Sequence, residues 1–217
     1  MKKEKNMNFY NSKTIFFAFF SSFMNLVFAI YNGIIGIIYS SIWNLSISGF
    51  YFLLFIIKQF LLINEFRTKR KKLKDKRHGF IITSFVLLFI MTLIMIGPST
   101  ILIMDQRVVN MGLIPAIASS TYTFYSLISS LMGLNKSFKS NNPVVKQFKL
   151  INFISTLMSL LVLQNTLIVV KGGYDERMFV LSICSTTIVF ILIFFLIVFS
   201  FIKYLIDYKK SKEVVEQ

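Results

Sequence analysis

Long apolar runs separated by short charged segments dominate this chain. Each run is long enough for a helix to cross a hydrocarbon core about 30 Å thick, which takes roughly 20 residues. The pattern predicts an all-α bundle of six transmembrane helices, with residues 14–205 as the membrane domain, 1–13 as a basic N-terminal segment and 206–217 as a C-terminal tail. The predicted helices cover residues 14–39, 43–63, 79–104, 111–134, 148–170 and 178–205.

The third run contains Gly97 and Pro98. Proline lacks a backbone N–H and disturbs a helix interior. The third helix is therefore expected either to kink at this point or to end there.

The basic residues fall almost entirely on one side of the predicted bundle. Twenty of the 24 Lys and Arg residues lie in the terminal segments or in the second and fourth connections. Because Lys and Arg accumulate in cytoplasmic loops, both termini are predicted to be cytoplasmic, in the cell membrane of a bacterium. Lys58 lies inside the second run, near its inner end, and its long side chain is expected to reach the interface.

Composition supports a membrane location. The chain is 55% hydrophobic and only 15% charged, against a usual charged share of about 25%. The net charge of +15 reflects loops that flank membrane spans, so no nucleic-acid partner is predicted. The basic connection at residues 65–78 is instead expected to bind anionic headgroups of the lipid bilayer.

The chain offers few groups for catalysis. It has one histidine and one cysteine, and no Asp or Glu falls in the middle of a predicted span. Paired carboxylates, a nucleophile with its base, and spaced metal ligands are missing from the sequence. We therefore expect no enzymatic activity, no cofactor or metal, and no proton relay through intramembrane carboxylates.

A stripe of small residues follows one face of the fourth predicted helix. Small side chains let helices approach closely in lipid, so the stripe is interpreted as a packing seam, with a polar path as the alternative, and helices one and four are predicted to lie nearest the bundle axis. The stripe consists of Gly112, Ala116, Ser119, Thr123, Ser126, Ser130 and Gly133.

Four amides in the first and fifth helices are candidates for a polar lining: Asn25, Asn32, Gln164 and Asn165. An amide in lipid costs free energy unless it is hydrogen-bonded. These side chains are expected to face inward, where they either join helices or line a site for a polar solute.

Helices two and three match helices four and five at an offset of 74 residues, for example Phe50-Tyr51 with Phe124-Tyr125. A parallel hairpin repeat of this kind occurs in transporters. Chance matches in apolar sequence are the alternative.

Three segments carry a resemblance to a known family: YTFYSLISSL at 122–131, NPVVK at 142–146 and MSLLVLQNTLI at 158–168. They resemble a family of small integral membrane proteins from low-GC Gram-positive bacteria that has no assigned activity. The resemblance implies a membrane location and identifies no functional residue.

The leading functional hypothesis is binding or passage of a small solute near the membrane midplane. Six spans with basic flanks also resemble, in architecture alone, the substrate-binding components of energy-coupling-factor transporters. The alternative is an interaction protein, such as an immunity, sensing or assembly subunit, whose partner is another membrane protein or a second copy.

The predicted topology can be tested by cysteine labelling in a Cys184→Ser background. Lys71→Cys and Lys210→Cys should resist an impermeant thiol reagent in whole cells, whereas Tyr174→Cys should react, because the charge distribution places only the last position outside. Labelling at position 71 from outside would overturn the orientation.

Overall fold

A computed structural model confirms an all-α fold of six helices. It describes residues 2–71, 75–105, 113–137, 142–170 and 175–216; side chains are described for 19–66, 78–104, 117, 119–137, 142–170 and 175–209. Within these residues there is no strand. The helices are α1 (Lys2–Ile38), α2 (Ile42–Lys71), α3 (Asp75–Asp105), α4 (Leu113–Ser137), α5 (Pro143–Val170) and α6 (Glu176–Glu216).

Five of the six helices contain a described stretch long and apolar enough to cross a membrane, as expected of a multi-pass membrane protein. The helix outside this group is α4, whose apolar character is diluted by eight Ser and Thr residues. The five stretches are Phe19–Ile38, Ile42–Phe66, His78–Met104, Pro143–Val170 and Glu176–Lys209.

Two helix starts differ from the prediction because polar residues cap them. α5 begins at Pro143, five residues before the predicted start, because Asn142 Oδ1 accepts a hydrogen bond from Val144 N at 3.0 Å. Proline fits the first helical position, where the missing N–H would have no helical partner. α6 is capped in the same way by Asp175, whose Oδ1 accepts from Met178 N at 2.7 Å.

α3 does not end at Gly97-Pro98 but continues to Asp105. Hydroxyls just after the proline bond to carbonyls of the preceding turn: Ser99 Oγ donates to Met95 O at 2.7 Å. Such side-chain bonds help a helix to accommodate an internal proline in a membrane. The outer loop expected for an early stop is therefore not formed.

The centre of the bundle is α5, not α1 and α4 as predicted from the sequence. Of the apolar stretch of α5, 56% is buried, compared with 28% in α1. Within the described residues α5 contacts every other helix, whereas α4 packs its backbone against α5 alone. The prediction for α1 and α4 was wrong because a small-residue stripe requires one close neighbour, which a peripheral helix also has.

α1 and α2 form a closely packed antiparallel hairpin. A β-carbon at Gly33 would lie 2.9 Å from Ser48 Oγ, and one at Gly36 would lie 2.8 Å from Leu45 N. The connecting turn closes with a bond from Ser41 N to Gly36 O at 2.9 Å. Ser40 takes a left-handed φ of 50° at the position that usually carries glycine in this helix ending.

Residues matched by the offset of 74 do not share their surroundings. Phe50 and Tyr51 are buried in α2, whereas Phe124 and Tyr125 are 55% and 70% exposed on α4. The matches therefore do not mark equivalent packing positions, and the repeat stays a hypothesis.

The hairpin packing predicts opposite effects for two glycine substitutions. Gly36→Ala should lower the free energy of unfolding by about 1–3 kcal/mol, because the new methyl group meets the α2 backbone. Gly49→Ala adds a methyl group with nothing within 4 Å and should raise stability by up to about 1 kcal/mol through helix propensity. Denaturation in a mild detergent compares them, and equal stability would contradict the close hairpin.

Candidate functional site

A groove of about 530 Å³ lies between α1, α4 and α5. Its floor is α5, and its walls are α1 and α4, whose backbones do not contact each other within the described residues. It occupies the half of the bundle nearer the end at which α5 begins. Its lining comprises Phe20, Ser21, Met24, Asn25, Tyr122, Tyr125, Ser126, Ser129, Ser130, Met132, Gly133, Lys136, Lys149, Asn152, Ser155 and Thr156.

Lys58 does not line the groove but bonds to Ser21, which does. The side chain is fully buried, and its Nζ donates to Ser21 Oγ at 3.0 Å. The expectation that this lysine reaches the interface is wrong. α2 continues as a helix to Lys71, which places Lys58 farther from the helix end than predicted, and Ser21 supplies an acceptor inside the bundle.

The bond from Lys58 fixes the direction of a hydrogen-bond chain. An ammonium group only donates, so Ser21 Oγ accepts from Lys58 and gives its own proton to Asn152 Oδ1 at 2.8 Å. The carbonyl of Asn152 is thereby occupied. The amide that Asn152 presents to the groove is consequently a hydrogen-bond donor.

Asn25 is a second amide of the groove lining. It is only 4% exposed, and its Oδ1 accepts from Ser155 Oγ at 3.4 Å. Its Nδ2 has no hydrogen-bond partner in the described part of the chain. A buried polar group left unpaired costs about 1–3 kcal/mol, so an acceptor that reached this nitrogen would be stabilised by the bond.

Part of the small-residue stripe of α4, namely Ser126, Ser130 and Gly133, lines the opposite wall. Thr123 and Ser130 are buried, and Ser126 Oγ lies 2.9 Å from Thr156 Oγ1. Thr156 gives its proton to Asn152 O, so Ser126 is the donor of this pair. A β-carbon at Gly133 would lie 3.2 Å from Lys149 Nζ, so glycine leaves room for that lysine.

The other four stripe residues either do not line the groove or lie outside the described residues. Gly112 and the side chain of Ala116 are outside the described residues, Ser119 is half-buried on α4, and Thr123 is buried.

The other three amides predicted as a polar lining do not line the same groove as Asn25. Asn32 is buried and donates from Nδ2 to Phe28 O at 2.8 Å, within its own helix. Gln164 lines a different, mostly apolar depression between α4, α5 and α6. Asn165 Oδ1 faces α6, where Ser182 Oγ donates to it at 3.4 Å.

Aromatic rings contact one another across the deep end of the groove. The ring centroid of Phe28 on α1 lies 5.2 Å from that of Tyr122 on α4 and 5.6 Å from that of Tyr51 on α2. Tyr51 also bonds through its hydroxyl to Ser159 Oγ on α5 at 2.6 Å. This cluster separates the polar groove from the opposite half of the bundle.

Sequence reasoning identified Asn25 but missed Ser21, Lys58 and Asn152 as parts of one site. The available signal was a lysine within an apolar run, which indicates a functional position unless the side chain reaches the interface. Only the register between α1, α2 and α5 shows that these three residues meet.

No protein-family model, curated protein or solved structure matches this chain. The family resemblance therefore stays a prediction, and the site rests on its own geometry.

The burial pattern of α4 predicts different effects at two adjacent positions. Thr123→Leu should destabilise the protein by about 1–3 kcal/mol, because Thr123 is only 3% exposed and a larger side chain would be overpacked. Phe124→Leu replaces a large side chain that is 55% exposed and should change stability by less than about 0.5 kcal/mol. Unfolding in detergent measures both, and the same loss in the two variants would contradict the packing.

Proposed function

We propose that this protein binds a small polar solute in the groove between α1, α4 and α5. The observation that carries the proposal is that Asn25, whose buried Nδ2 has no hydrogen-bond partner among the described residues, is one of the residues that line a cavity of about 530 Å³. A solute that leaves water for a membrane interior needs polar partners that replace its hydration. The groove offers amides and hydroxyls from three helices for that purpose.

The binding position differs from the one expected from sequence alone. Asn32 and Gln164 do not line this groove, so the proposed site consists of Asn25 with Asn152. It lies toward the end of the bundle where α5 begins, and a solute would enter from that end or from between α1 and α4.

Passage through the protein would require a further step. The aromatic contacts of Phe28 with Tyr51 and Tyr122 cross the deep end of the groove, so they would have to separate for a solute to reach the other side. The residues that line the groove include no Asp or Glu. Flux through this site would therefore not use a carboxylate of the groove as a proton relay.

An amide substitution tests the proposal. Asn25→Leu keeps the approximate size but removes the unpaired donor, and should weaken solute binding about tenfold or more. Gln164→Leu removes an amide from the separate apolar depression and should leave binding within about twofold. Mass spectrometry of copurified small molecules identifies candidates, and their affinities are then measured on the purified variants.

The results of this experiment distinguish a solute-binding protein from a membrane interaction protein. Equal affinities of the Asn25 and Gln164 variants would remove the groove as the site. Absence of binding across a broad panel of ions, amino acids and vitamins would favour the interaction-protein hypothesis instead.

A further inference from the structure

We propose that the solute carries an anionic group, phosphate or carboxylate, which binds at the end of the groove formed by Lys136 and Lys149. This inference rests on the proposed function and specifies the chemical class of the ligand. Its basis is an arrangement of cations and hydrogen-bond donors that no carboxylate in the groove balances.

Lys136 and Lys149 line the same end of the groove from two different helices. Gly133 lies one turn before Lys136 on α4 and leaves room beside it for the half-buried side chain of Lys149. Neither ammonium group makes a hydrogen bond or an ion pair with another described residue. An anion bound there would contact two cations without displacing an internal partner.

The other lysine of α5, Lys146, is paired with a carboxylate, unlike the two lysines of the groove. Lys146 forms an ion pair with Asp207 of α6 at 2.8 Å. Glu65, at the same end of the bundle, accepts a hydrogen bond from Asn142 at 3.0 Å. Neither carboxylate belongs to the lining of the groove, and no Asp or Glu occurs among the described residues that line it.

The neutral groups of the groove favour the same ligand. The side-chain oxygens of Asn25 and Asn152 accept bonds from Ser155 and Ser21, and the other polar atom of each amide is an N–H donor. Phosphate and carboxylate oxygens accept several such bonds at once, and bonds to an ionised acceptor are about twice as strong as neutral ones. A cationic ligand would meet donors and positive charge and would be repelled.

Lys58 lies next to this surface. Its Nζ is bonded to Ser21, which itself lines the groove. Burial favours the neutral amine, because an ammonium ion is costly where the dielectric constant is low. An anion in the groove would offset part of that cost.

The anionic group could come from two sources, a lipid headgroup or a free organic anion. The gap between α1 and α4 gives access from the bilayer, and the lysine end gives access from the aqueous side. The two sources share the same recognition chemistry, so the test includes a probe for each.

The experiment uses the full chain purified in a neutral detergent. The probes are glycerol 3-phosphate, with glycerol as its uncharged counterpart, and phosphatidylglycerol in nanodiscs, with phosphatidylcholine as the counterpart without net charge. Binding is measured as affinity for the soluble probes and as a shift in the unfolding temperature for the lipids. The variants are Lys149→Gln and Lys136→Gln, with Lys209→Gln as a matched control at an exposed position on α6.

We expect binding of at least one anionic probe and weaker binding of its counterpart. Lys149→Gln and Lys136→Gln should each reduce the affinity or the shift about tenfold, whereas Lys209→Gln should change it by less than about twofold. A response to glycerol 3-phosphate alone assigns a free anion, and a response to phosphatidylglycerol alone assigns a lipid headgroup. Lys149→Arg, which keeps the charge, should retain binding and serves if Lys149→Gln does not fold.

Equal effects of the three glutamine variants would overturn the anion inference. So would a neutral solute whose binding is weakened by Asn25→Leu but unchanged by Lys149→Gln, although that result would uphold the proposed function. Binding that is insensitive to Asn25→Leu and to both groove lysines would overturn the function as well.

Discussion

The hydrogen bond from Lys58 to Ser21 determines how three helices meet. It joins α2 to α1, and the hydroxyl of Ser21 continues the chain to Asn152 on α5. A buried amine within a membrane cannot form hydrogen bonds with water, so it needs a hydrogen-bond acceptor within the protein. The registers of α1 and α5 are therefore coupled to the position of one lysine. The same bond leads Ser21 to donate to the carbonyl oxygen of Asn152, which orients the Asn152 amide.

The same requirement explains why α5 lies at the centre. Lipid provides no hydrophobic force that pushes apolar helices together, so packing and interhelical hydrogen bonds specify their neighbours, at about 0.6 kcal/mol on average for each bond. α5 makes a side-chain hydrogen bond with every other helix. These pairs are Asn152 with Ser21 of α1, Ser159 with Tyr51 of α2, Gln147 with Ser84 of α3, Thr156 with Ser126 of α4 and Asn165 with Ser182 of α6.

The sequence predicts the number of helices well because apolar length is a local property. It predicts their ends less well, since a cap such as Asn142 extends α5 beyond its apolar run. It fails for the order of helices around the axis, because periodicity identifies a face and not the neighbour of that face. Asn25 could be proposed for a site from its residue type, but Asn152 acquires its role only from Lys58 and Ser21.

The two walls of the groove are attached unequally, which bears on how a ligand would enter. α1 is held by the glycine seam of its hairpin with α2 and also contacts α5, whereas the backbone of α4 contacts α5 alone within the described residues. Across the groove the walls meet through the rings of Phe28 and Tyr122. An aromatic contact of this kind contributes about 0.5–1.5 kcal/mol beyond its buried area. Widening the groove by moving α4 would break this contact and the bond from Ser126 to Thr156, whereas the α1–α2 hairpin and the bonds of Lys58 and Asn25 would stay intact.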